Sequence, residues 1–531
     1  MDTDGSSKIS RRDFLRFAGA AGISLSVGSL VEACAPVAPV TKSTPSSVVI
    51  AYNDEIATLD PHKPNRNLTQ LSPHKCIWDH FIAQDHDLKY HPHVLTKWDW
   101  ANADKTALDV QVQEGIKFHN GDPLTAEDVA FSLERLKTKG FAYAGVFGVI
   151  DKAEVTGTNS LRLGLSHYDP SIRVWLGFIN ALVIPKKYFT QVGEDAFFKN
   201  PIGSGPYKFK EFVAGSHLTL EAFDGYWKGA PPIKTVTFKI VTDSTARAAQ
   251  IEAGSADFTL EVPIADFDRL SKVKGLTGKR QPVTDVGLLF LAPYFEPFKD
   301  ENVRVALDYA LDKEKLVKDV LLGFGVALST TEAPGYAAYS KEYKFPYDPQ
   351  KASDLLAQSG YSKNKPLKLS VMATNGFKAR DYELIEACVA MWKTVGVEAD
   401  IQTITTPQFF DYRVGAKLAP LSLYYWSNPT GDPINSIGLS QRPSSSFSVW
   451  KGNVDYTGAK ADLDARLGPI FSEKDETKRI AAAQSAATYI VEHGFVIPLY
   501  QVVSPIVMKD NLQYEPYPQG WIIPSEMRWA A

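Results

Sequence analysis

The sequence is poor in cysteine, in net charge and in the motifs of hydrolytic enzymes. It has three cysteines in 531 residues, which is few for an exported protein built on disulfides. Its formal net charge is −4, and it has no basic tail that would bind a phosphate backbone. These features argue against a disulfide scaffold and against a nucleic-acid-binding protein.

Motifs that would indicate catalysis are also missing. The sequence contains no GxSxG elbow, no HExxH, no Walker loop and no GxGxxG after a strand. The run Gly203-Ser204-Gly205 lacks the spacing of a nucleophile elbow and has no assignable His or Asp partners. We therefore predict that the protein is not an enzyme, with a periplasmic hydrolase kept as an alternative that linear substrate turnover would establish.

The N-terminal segment, residues 1–33, has the pattern of an export signal. Ser10–Arg16 matches the twin-arginine pattern, and residues 17–33 are mildly apolar but too weakly so for a permanent membrane span. The run ending in Cys34 is similar to a lipoprotein box, which predicts acylation of Cys34. Ordinary cleavage nearby is the alternative, because Glu32 is atypical there. Residues 34–47 form a Pro/Ser-rich tether.

The remaining chain is long enough for two or more domains and alternates strands with helices. Alternating apolar residues predict a hairpin over 207–222 and a third strand over 236–240. Thr125 is a predicted N-cap, with Asp128 completing a capping box. The strand–helix–strand order over 367–403 predicts a partly parallel sheet, so the fold class is α/β.

Several ordered blocks between residues 48 and 505 resemble the bacterial family 5 extracellular solute-binding proteins. They are the GSGPY turn from Gly203, the pair Tyr226-Trp227, the segment KFHNGDPLTAEDV from Lys117 and the VRVAL run from Val303. The resemblance implies a two-lobed periplasmic-binding-protein clamshell, class II-like, with an extra subdomain in the first lobe and two hinge crossings. The implied domains are a first lobe of 48–285 plus 505–531, a subdomain of about 65–195 inserted in it, and a second lobe of 286–504.

The same resemblance implies a function. The protein would capture a small solute by hinge closure and deliver it to the permease subunits of an ABC importer, whose ATPase subunits are separate. Peptides are the first ligand expected, and an opine, amine, sugar-like solute or metal chelate is the alternative. We expect a monomer with no cofactor and no nucleic-acid partner, located in the periplasm or on the extracytoplasmic face of the membrane, where a lipid anchor would hold it.

Three residues in two segments of the first lobe are predicted to contact the ligand. Glu55 lies in the loop before Leu-Asp-Pro-His, which touches the ligand in oligopeptide-binding members of the family. A solvated loop carboxylate is the alternative there. Tyr143 and Phe147 belong to a Gly- and aromatic-rich segment that is predicted to face the cleft.

The main ligand contacts are predicted at Tyr425, Trp426, Asn428 and Asp432. An aromatic patch beside Asn and Asp can stack on a solute and hydrogen-bond it. The alternative is a buried strand end followed by a structural turn. In peptide-binding relatives an aspartate shortly after the Trp pairs with the peptide ammonium, but Pro429 occupies that position here. We therefore predict that no full ammonium–carboxylate pair forms unless Asp432 or Glu55 supplies it.

The cysteines and histidines of the body are predicted to be structural. Cys388 has helical spacing with apolar neighbours and is predicted to be buried, with a bond to Cys76 as the less favoured alternative. Six of the ten histidines fall within residues 62–93. The X-Pro bond keeps His91 and His93 extended, so turn or surface histidines are favoured over a metal site.

Overall fold

One large mixed sheet organises the chain. The computed structural model describes residues 45–63, 71–141, 143–178, 180–414, 417–443, 445, 448 and 457–530. In chain order its strands are β1 (Ser47–Tyr52), β2 (Ile82–Gln84), β3 (Tyr90–Pro92), β4 (Leu95–Trp100), β5 (Ala107–Val112), β6 (Ile150–Gly157), β7 (Ser160–Leu165), β8 (Tyr207–Val213), β9 (His217–Ala222), β10 (Thr235–Ile240), β11 (Phe258–Thr259), β12 (Leu276–Leu291), β13 (Gly325–Ala327), β14 (Leu367–Thr374), β15 (Val397–Ile404), β16 (Leu421–Ser427), β17 (Val496–Lys509), β18 (Leu512–Gln513) and β19 (Arg528–Trp529).

The helices lie in the connections between the strands. The α-helices are Ser72–Ile77, Ala126–Leu136, Ala144–Phe147, Ile172–Trp175, Lys186–Val192, Glu194–Lys199, Ser244–Glu252, Phe267–Leu270, Glu301–Tyr309, Lys313–Lys315, Pro349–Gln358, Asp381–Thr394, Thr406–Val414, Leu439–Gln441, Thr457–Ser472 and Glu476–Glu492. Wider π-type turns cover Leu316–Val320 and Ile434–Gly438, and a 3₁₀ turn covers Pro524–Glu526. No helix in the described ranges is long and apolar enough to span a bilayer.

The large sheet has two halves that share two long strands. Its order is β15-β14-β16-β12-β17-β11-β1-β10-β9-β8, and β13 pairs with β17 outside this path. We call β11, β1, β10, β9 and β8 the first half and β16, β14 and β15 the second half. Strands β12 and β17 run antiparallel from one half to the other. These are the two crossings that a clamshell requires.

The ladder between β12 and β17 is interrupted where the halves meet. Pro282 pairs with Val503 and Val286 pairs with Gln501, so three residues of β12 stand opposite one residue of β17. A bulge of this kind bends its strand and leaves backbone groups free of the ladder. We call residues 283–285 the hinge bulge.

Each half has its own apolar core, and a larger cluster joins the inserted segment to the second half. Phe238 lies in the core of the first half, and Trp392 lies in the core of the second, where its indole N–H donates to the Leu307 carbonyl at 2.9 Å. The joining cluster includes Phe81 and Trp426. A separate antiparallel sheet, β4-β5-β7-β6, lies within the range predicted as an inserted subdomain. The described residues pack as one unit, and the domain boundaries stay a prediction.

Local sequence signals predict many of the elements correctly. The hairpin over 207–222, the third strand and the parallel pairing of β14 with β15 are confirmed. The capping box at Thr125 is confirmed as well, since the Asp128 carboxylate accepts the Thr125 N–H at 2.9 Å. Cys388 is fully buried, and both described cysteines are free thiols. The amphipathic spacing of Ile77, Trp78, Phe81 and Ile82 predicts a helix over residues 71–82, and this predicted length is wrong, because the helix ends at Ile77.

The GSGPY turn explains why that helix ends early. The Gly205 N–H donates to the Ile77 carbonyl at 2.9 Å, and a Cβ atom on Gly203 would lie 1.8 Å from the same oxygen. His119 fastens the turn from the other side: its Nδ1 accepts the Gly203 N–H at 3.2 Å, and its Nε2 donates to the Gly205 carbonyl at 3.0 Å. Two glycines are therefore required by close approach of backbone to backbone.

Candidate ligand-binding site

The carboxyl ends of parallel strands from both halves meet near the hinge bulge. In the first half β1 is parallel to β10 and β11, and in the second half β14 is parallel to β15 and β16. Asn53 and Glu261 follow β1 and β11, while Lys378 and Asn428 follow β14 and β16. In open α/β sheets, ligands bind outside the carboxyl ends of the strands. The topology therefore identifies the hinge region as the candidate site.

Charged side chains from the two halves interact there. Asn53 Nδ2 donates to Glu261 Oε2 at 2.8 Å, and Lys378 Nζ donates to Asp285 Oδ2 of the hinge bulge at 2.5 Å. Burial lowers the pKa of Lys378, but Asp285 and Glu261 outweigh burial and raise that pKa above its ordinary value. Lys378 is thus a fixed cation held between carboxylates of β12 and of the first half.

A buried aspartate holds Lys378 in place. The Asp381 carboxylate, at the start of a helix, accepts the Thr374 hydroxyl at 2.6 Å and the Gly376 N–H at 2.8 Å. It also accepts the N–H groups of Phe377 and Lys378. Because one carboxylate organises the whole turn after β14, the backbone that carries the Lys378 ammonium has little freedom.

Tyr425 and Tyr500 lie beside these charged side chains. The hydroxyls of Tyr425 and Tyr500 lie 3.2 Å apart, and burial raises both pKa values, that of Tyr500 to about 12. Gly287 on the strand between them is required by packing, since a Cβ atom there would lie 2.7 Å from the Tyr500 ring. Tyr425 is 7% exposed, and its predicted role as a ligand contact stays a prediction.

Asn428 begins a buried loop that hydrogen-bonds to the hinge bulge. Its N–H donates to the Thr284 carbonyl at 2.9 Å, its Nδ2 donates to the Asp432 carbonyl at 3.1 Å, and its Oδ1 accepts the Thr430 hydroxyl at 2.8 Å. Asn428 is fully buried. Its amide therefore fixes the loop that we call the 428–432 loop, and any ligand contact by Asn428 stays a prediction.

The Asp432 carboxylate already has a cationic partner. Its two oxygens accept from Arg479 Nη1 at 3.0 Å and Nη2 at 2.5 Å, and its Oδ1 also accepts the Ile434 N–H at 2.9 Å. The Arg479 side chain is 2% exposed and also donates to Glu476 at 2.8 Å and 3.0 Å. Burial lowers the pKa of Arg479, but the two carboxylates raise it above its ordinary value. In this arrangement Asp432 compensates a buried guanidinium, and its predicted ligand contact stays a prediction.

The 428–432 loop also touches the inserted segment across the gap between the halves. The Thr430 carbonyl accepts from Gln84 Nε2 at 3.1 Å and from the Tyr90 hydroxyl at 3.0 Å. A Cβ atom on Gly431, whose φ is +69°, would lie 3.1 Å from Leu88. These contacts join the β2–β3 hairpin to the second half, so the described conformation is closed at this point.

The other predicted contact residues lie in different surroundings. Glu55 is exposed in the loop after β1, and its N–H donates to Asp54 Oδ1 at 2.9 Å. Tyr143 is half-buried, with its ring 4.7 Å from that of Phe178. Phe147 is fully buried in the large core cluster, so a ligand would reach it only after a rearrangement of that core. The contact roles of Glu55, Tyr143 and Phe147 stay predictions.

Trp426 neighbours Tyr424 rather than open space. The two rings are stacked with centroids 6.0 Å apart, and the indole N–H donates to the Asn435 carbonyl at 2.7 Å. With 8% of its surface exposed, Trp426 offers a narrow edge to a solute. Its predicted stacking on a ligand stays a prediction.

The histidines of residues 62–93 have separate protein partners. His62 and His74 bond to the carbonyls of Leu182 and Thr58, while His91 and His93 pair with Asp85 and Asp79. Over the described ranges, no group of three or more His, Cys, Asp or Glu is arranged to hold a metal ion.

Sequence reasoning missed the charged residues of this site. Glu261, Asp285 and Lys378 lie far apart in the chain and in no shared motif. One signal was available for Lys378, because it follows the strand that is predicted from residue 367, and α/β proteins carry ligand-contacting residues after such strands. Glu261 follows β11 in the same way, but the sequence does not predict β11.

Comparison with known proteins agrees with this architecture. The family model "Bacterial extracellular solute-binding proteins, family 5 Middle" matches residues 89–448. The oligopeptide-binding protein AppA of Bacillus subtilis is 32% identical over 327 residues, which cover 56% of this chain and 58% of that protein. The glutathione-binding protein GsiB of Salmonella typhimurium is 25% identical over 490 residues, which cover 90% and 92%.

A solved structure shows the same fold. NikA from Brucella suis, in complex with Fe(III)-EDTA, superposes with a TM-score of 0.81 at 20% identity, over 91% of this chain and 99% of that chain. The predicted two-lobed α/β clamshell is thus confirmed. The crossing strands and the hinge bulge agree with the family match. The chain therefore belongs to the bacterial extracellular solute-binding proteins of family 5, the binding components of ABC importers.

Proposed function

We propose that this protein captures a small solute near the hinge bulge by closure of the two halves and delivers it to ABC permease subunits. The observation that carries the proposal is the pair β12 and β17, which cross between the halves and shift register at 283–285. A continuous ladder resists bending, whereas a bulge concentrates it. The carboxyl ends of parallel strands from both halves meet at this flexible point.

The closed conformation has a built-in stop. Gln84 and Tyr90 on the inserted segment donate to the Thr430 carbonyl, a backbone group whose position is fixed by Asn428. Closure of the halves expels water and makes every unmatched polar group of the solute costly. Selection of the solute therefore depends on the few polar groups near the hinge.

Peptides remain the first ligand class, and a non-peptide solute is the second. AppA and GsiB are named for oligopeptide and glutathione binding, whereas NikA was solved with a metal chelate. Pro429 stands where peptide-binding relatives are expected to place an aspartate, which weakens the peptide assignment. No cofactor and no catalytic step are part of this proposal.

The test is native mass spectrometry of protein purified without refolding, followed by denaturing release of whatever is bound. Bound ligand stabilises a native state by RT ln(1 + [L]/Kd), so a high-affinity solute survives purification. A series of peptide masses supports the peptide assignment. One discrete non-peptide mass supports the alternative, and turnover of the released compound by fresh protein would contradict a pure binding role.

We also propose that the mature protein is a monomer tethered outside the cytoplasm through acylated Cys34. The support is the run preceding Cys34 and the Pro/Ser-rich tether that follows it, both of which lie outside the described residues. Intact-mass measurement of membrane-extracted protein tests this. A Cys34→Ala variant that fractionates with membranes as the wild type does would contradict the anchor.

A further inference from the structure

Glu332 is a buried acid in the loop that follows β13. It is 0% exposed, and neither carboxylate oxygen has a hydrogen-bond partner at acceptable geometry among the described residues. The pKa of Glu332 is raised from 4.5 to about 7. Burial is the largest cause, the Ser436 hydroxyl offsets part of the rise, and the Asp432 carboxylate adds to it. A buried carboxyl group whose only nearby donor, the Ser436 hydroxyl, is poorly aligned is costly to a fold, so its presence requires an explanation.

The loop that carries Glu332 is fixed against the hinge bulge. Strand β13 pairs with β17 so that Ala327 lies opposite Tyr500, and Gln501 Nε2 donates to the Pro334 carbonyl of the loop at 3.4 Å. The Tyr336 hydroxyl donates to the Thr284 carbonyl at 2.6 Å, and the Ala337 N–H donates to the Gly431 carbonyl at 2.8 Å. Glu332 therefore lies between the hinge bulge and the 428–432 loop, where the halves meet.

Neighbouring polar groups are also short of donors. Thr331 Oγ1 and Gln501 Oε1 are buried without hydrogen-bond partners, and Gln501 Nε2 is used by the Val283 carbonyl at 3.0 Å. Thr331 is the chain neighbour of Glu332, and Gln501 Nε2 donates to the Pro334 carbonyl of the same loop at 3.4 Å. With the two oxygens of Glu332, the loop region therefore has four buried oxygens without partners on three side chains, which we call the acceptor cluster. An acceptor cluster of this kind is matched by a group that carries several N–H donors.

The local charge balance favours a cation. Around the hinge the two fixed cations Lys378 and Arg479 face the carboxylates of Glu261, Asp285, Asp432 and Glu476. Each cation is already bonded to its own carboxylate, so neither is available to neutralise Glu332. Ionised Glu332 adds a further negative charge, and a positively charged solute would supply both the missing charge and the missing donors.

We infer that Glu332, with Thr331 and Gln501, receives a positively charged nitrogen group of the solute, an ammonium or a guanidinium. The inference rests on the proposed binding function and names the chemical class that the site selects. It assigns the charge pairing to neither Glu55 nor Asp432. Glu332 is a specificity-determining residue in this scheme, because the unpaired acid rejects a neutral or anionic group at the same position.

The test compares matched solutes on wild type, Glu332→Gln and the control Glu342→Gln. Glu342 is a highly exposed acid ten residues further along the chain. The first readout is the mass of solute released from purified wild-type protein. The second is binding by calorimetry, at pH 7.5, of two pairs whose members differ by one positive charge: L-arginine with L-citrulline, and the tripeptide Ala-Ala-Ala, whose α-amino pKa is about 8, with its N-acetyl form. The pairs separate a guanidinium from an ammonium source.

We expect a released or added solute with a basic nitrogen to bind, its neutral match to bind at least tenfold more weakly, and Glu332→Gln to lose about 10- to 100-fold in affinity for the cationic solute. Binding to wild type should also weaken about tenfold per pH unit below 7, and this slope should vanish in Glu332→Gln. A structural acid would not produce that slope, and Glu342→Gln should match wild type.

Two results would overturn the inference, and they differ. If only neutral or acidic solutes are released or bind, and Glu332→Gln binds them as wild type does, the binding function stands and the role of Glu332 is wrong. If wild type releases no solute and binds neither the four probes nor any other solute class that the proposed function names, the proposed function fails and the inference falls with it. Glu332→Asp, which keeps the charge, guards against a folding defect in Glu332→Gln.

Discussion

The Asp432–Arg479 pair provides the sharpest test of how this site is built. Sequence patterns place Asp432 against a ligand, whereas the structure shows its carboxylate on a guanidinium that is 2% exposed. We predict that Asp432→Asn destabilises the protein before any ligand is added, because it leaves a buried cation partly unpaired. Breaking a buried pair costs 3–5 kcal/mol. Glu476 still bonds Arg479 at 2.8 Å and 3.0 Å, so we expect the low end, about 3 kcal/mol.

The assay is urea unfolding of ligand-stripped protein followed by tryptophan fluorescence, with Asp432→Asn, Arg479→Met and the double variant. If the pair is structural, the double variant should be less destabilised than the sum of the single variants. The control is Asp109→Asn, since Asp109 also forms a two-bonded pair, with Arg162 at 2.7 Å and 3.0 Å, but in an exposed position on the small sheet. That variant should change stability little.

One outcome would refute the structural assignment of Asp432. If Asp432→Asn unfolds within about 0.5 kcal/mol of wild type yet binds the released solute much more weakly, Asp432 contacts ligand as the sequence predicts. If Asp432→Asn loses both stability and affinity, the double variant with Arg479→Met decides between the two roles. A double variant that regains stability but still binds the solute weakly would also assign Asp432 to the ligand.

Three further predictions follow from the described contacts. Glu332 has its folded pKa raised from 4.5 to about 7, so its contribution favours folding below pH 4.5 and is lost as pH rises to 7; Glu332→Gln should raise the Tm of ligand-free protein by roughly 3 °C at pH 8 and leave it unchanged at pH 4. A lower Tm at pH 8 would show that ionised Glu332 is stabilised by the protein. Gly203→Ala should abolish folding or cost more than about 3 kcal/mol by thermal unfolding, since its Cβ meets a carbonyl oxygen at 1.8 Å, whereas Gly145→Ala, with no atom within 4 Å, should be neutral or stabilising. Gln84→Ala combined with Tyr90→Phe should speed solute release by about tenfold in stopped-flow fluorescence, through loss of two hydrogen bonds across the gap; an unchanged release rate would mean that these bonds do not hold the closed state.

Local chemistry made much of the fold predictable. The N-cap at Thr125 and the hairpin over 207–222 depend on residues only a few positions apart, and such signals act wherever the chain folds. The length of the first helix could not be predicted in this way, because Gly205 ends it from 128 positions further along the chain by bonding Ile77.

The site was less predictable for the same reason. The sequence predicts that the aromatic segment with Tyr425 and Trp426 belongs to the site. It does not predict which charged groups pair there, because Asp432 and Arg479 are 47 residues apart in the chain and Lys378 and Asp285 are 93 residues apart. A carboxylate next to a Trp has the same sequence pattern whether a solute or a buried arginine neutralises it. Glu332 gave no signal at all, since its lack of donors is visible only once the loop is packed.

The pairing of β17 with β11 has a consequence for the order in which the chain folds. Strand β11 lies between β1 and β17, and the indole N–H of Trp529 donates to the Ser47 carbonyl, so the first half is closed by residues from the far end of the sequence. Contacts of such long range form late and slowly. During synthesis the first half must therefore wait with an open sheet edge until the last strands leave the ribosome. The predicted signal of the twin-arginine type, which would carry folded cargo, would suit a chain in which the edge of β11 can be covered only after β17 has been synthesised.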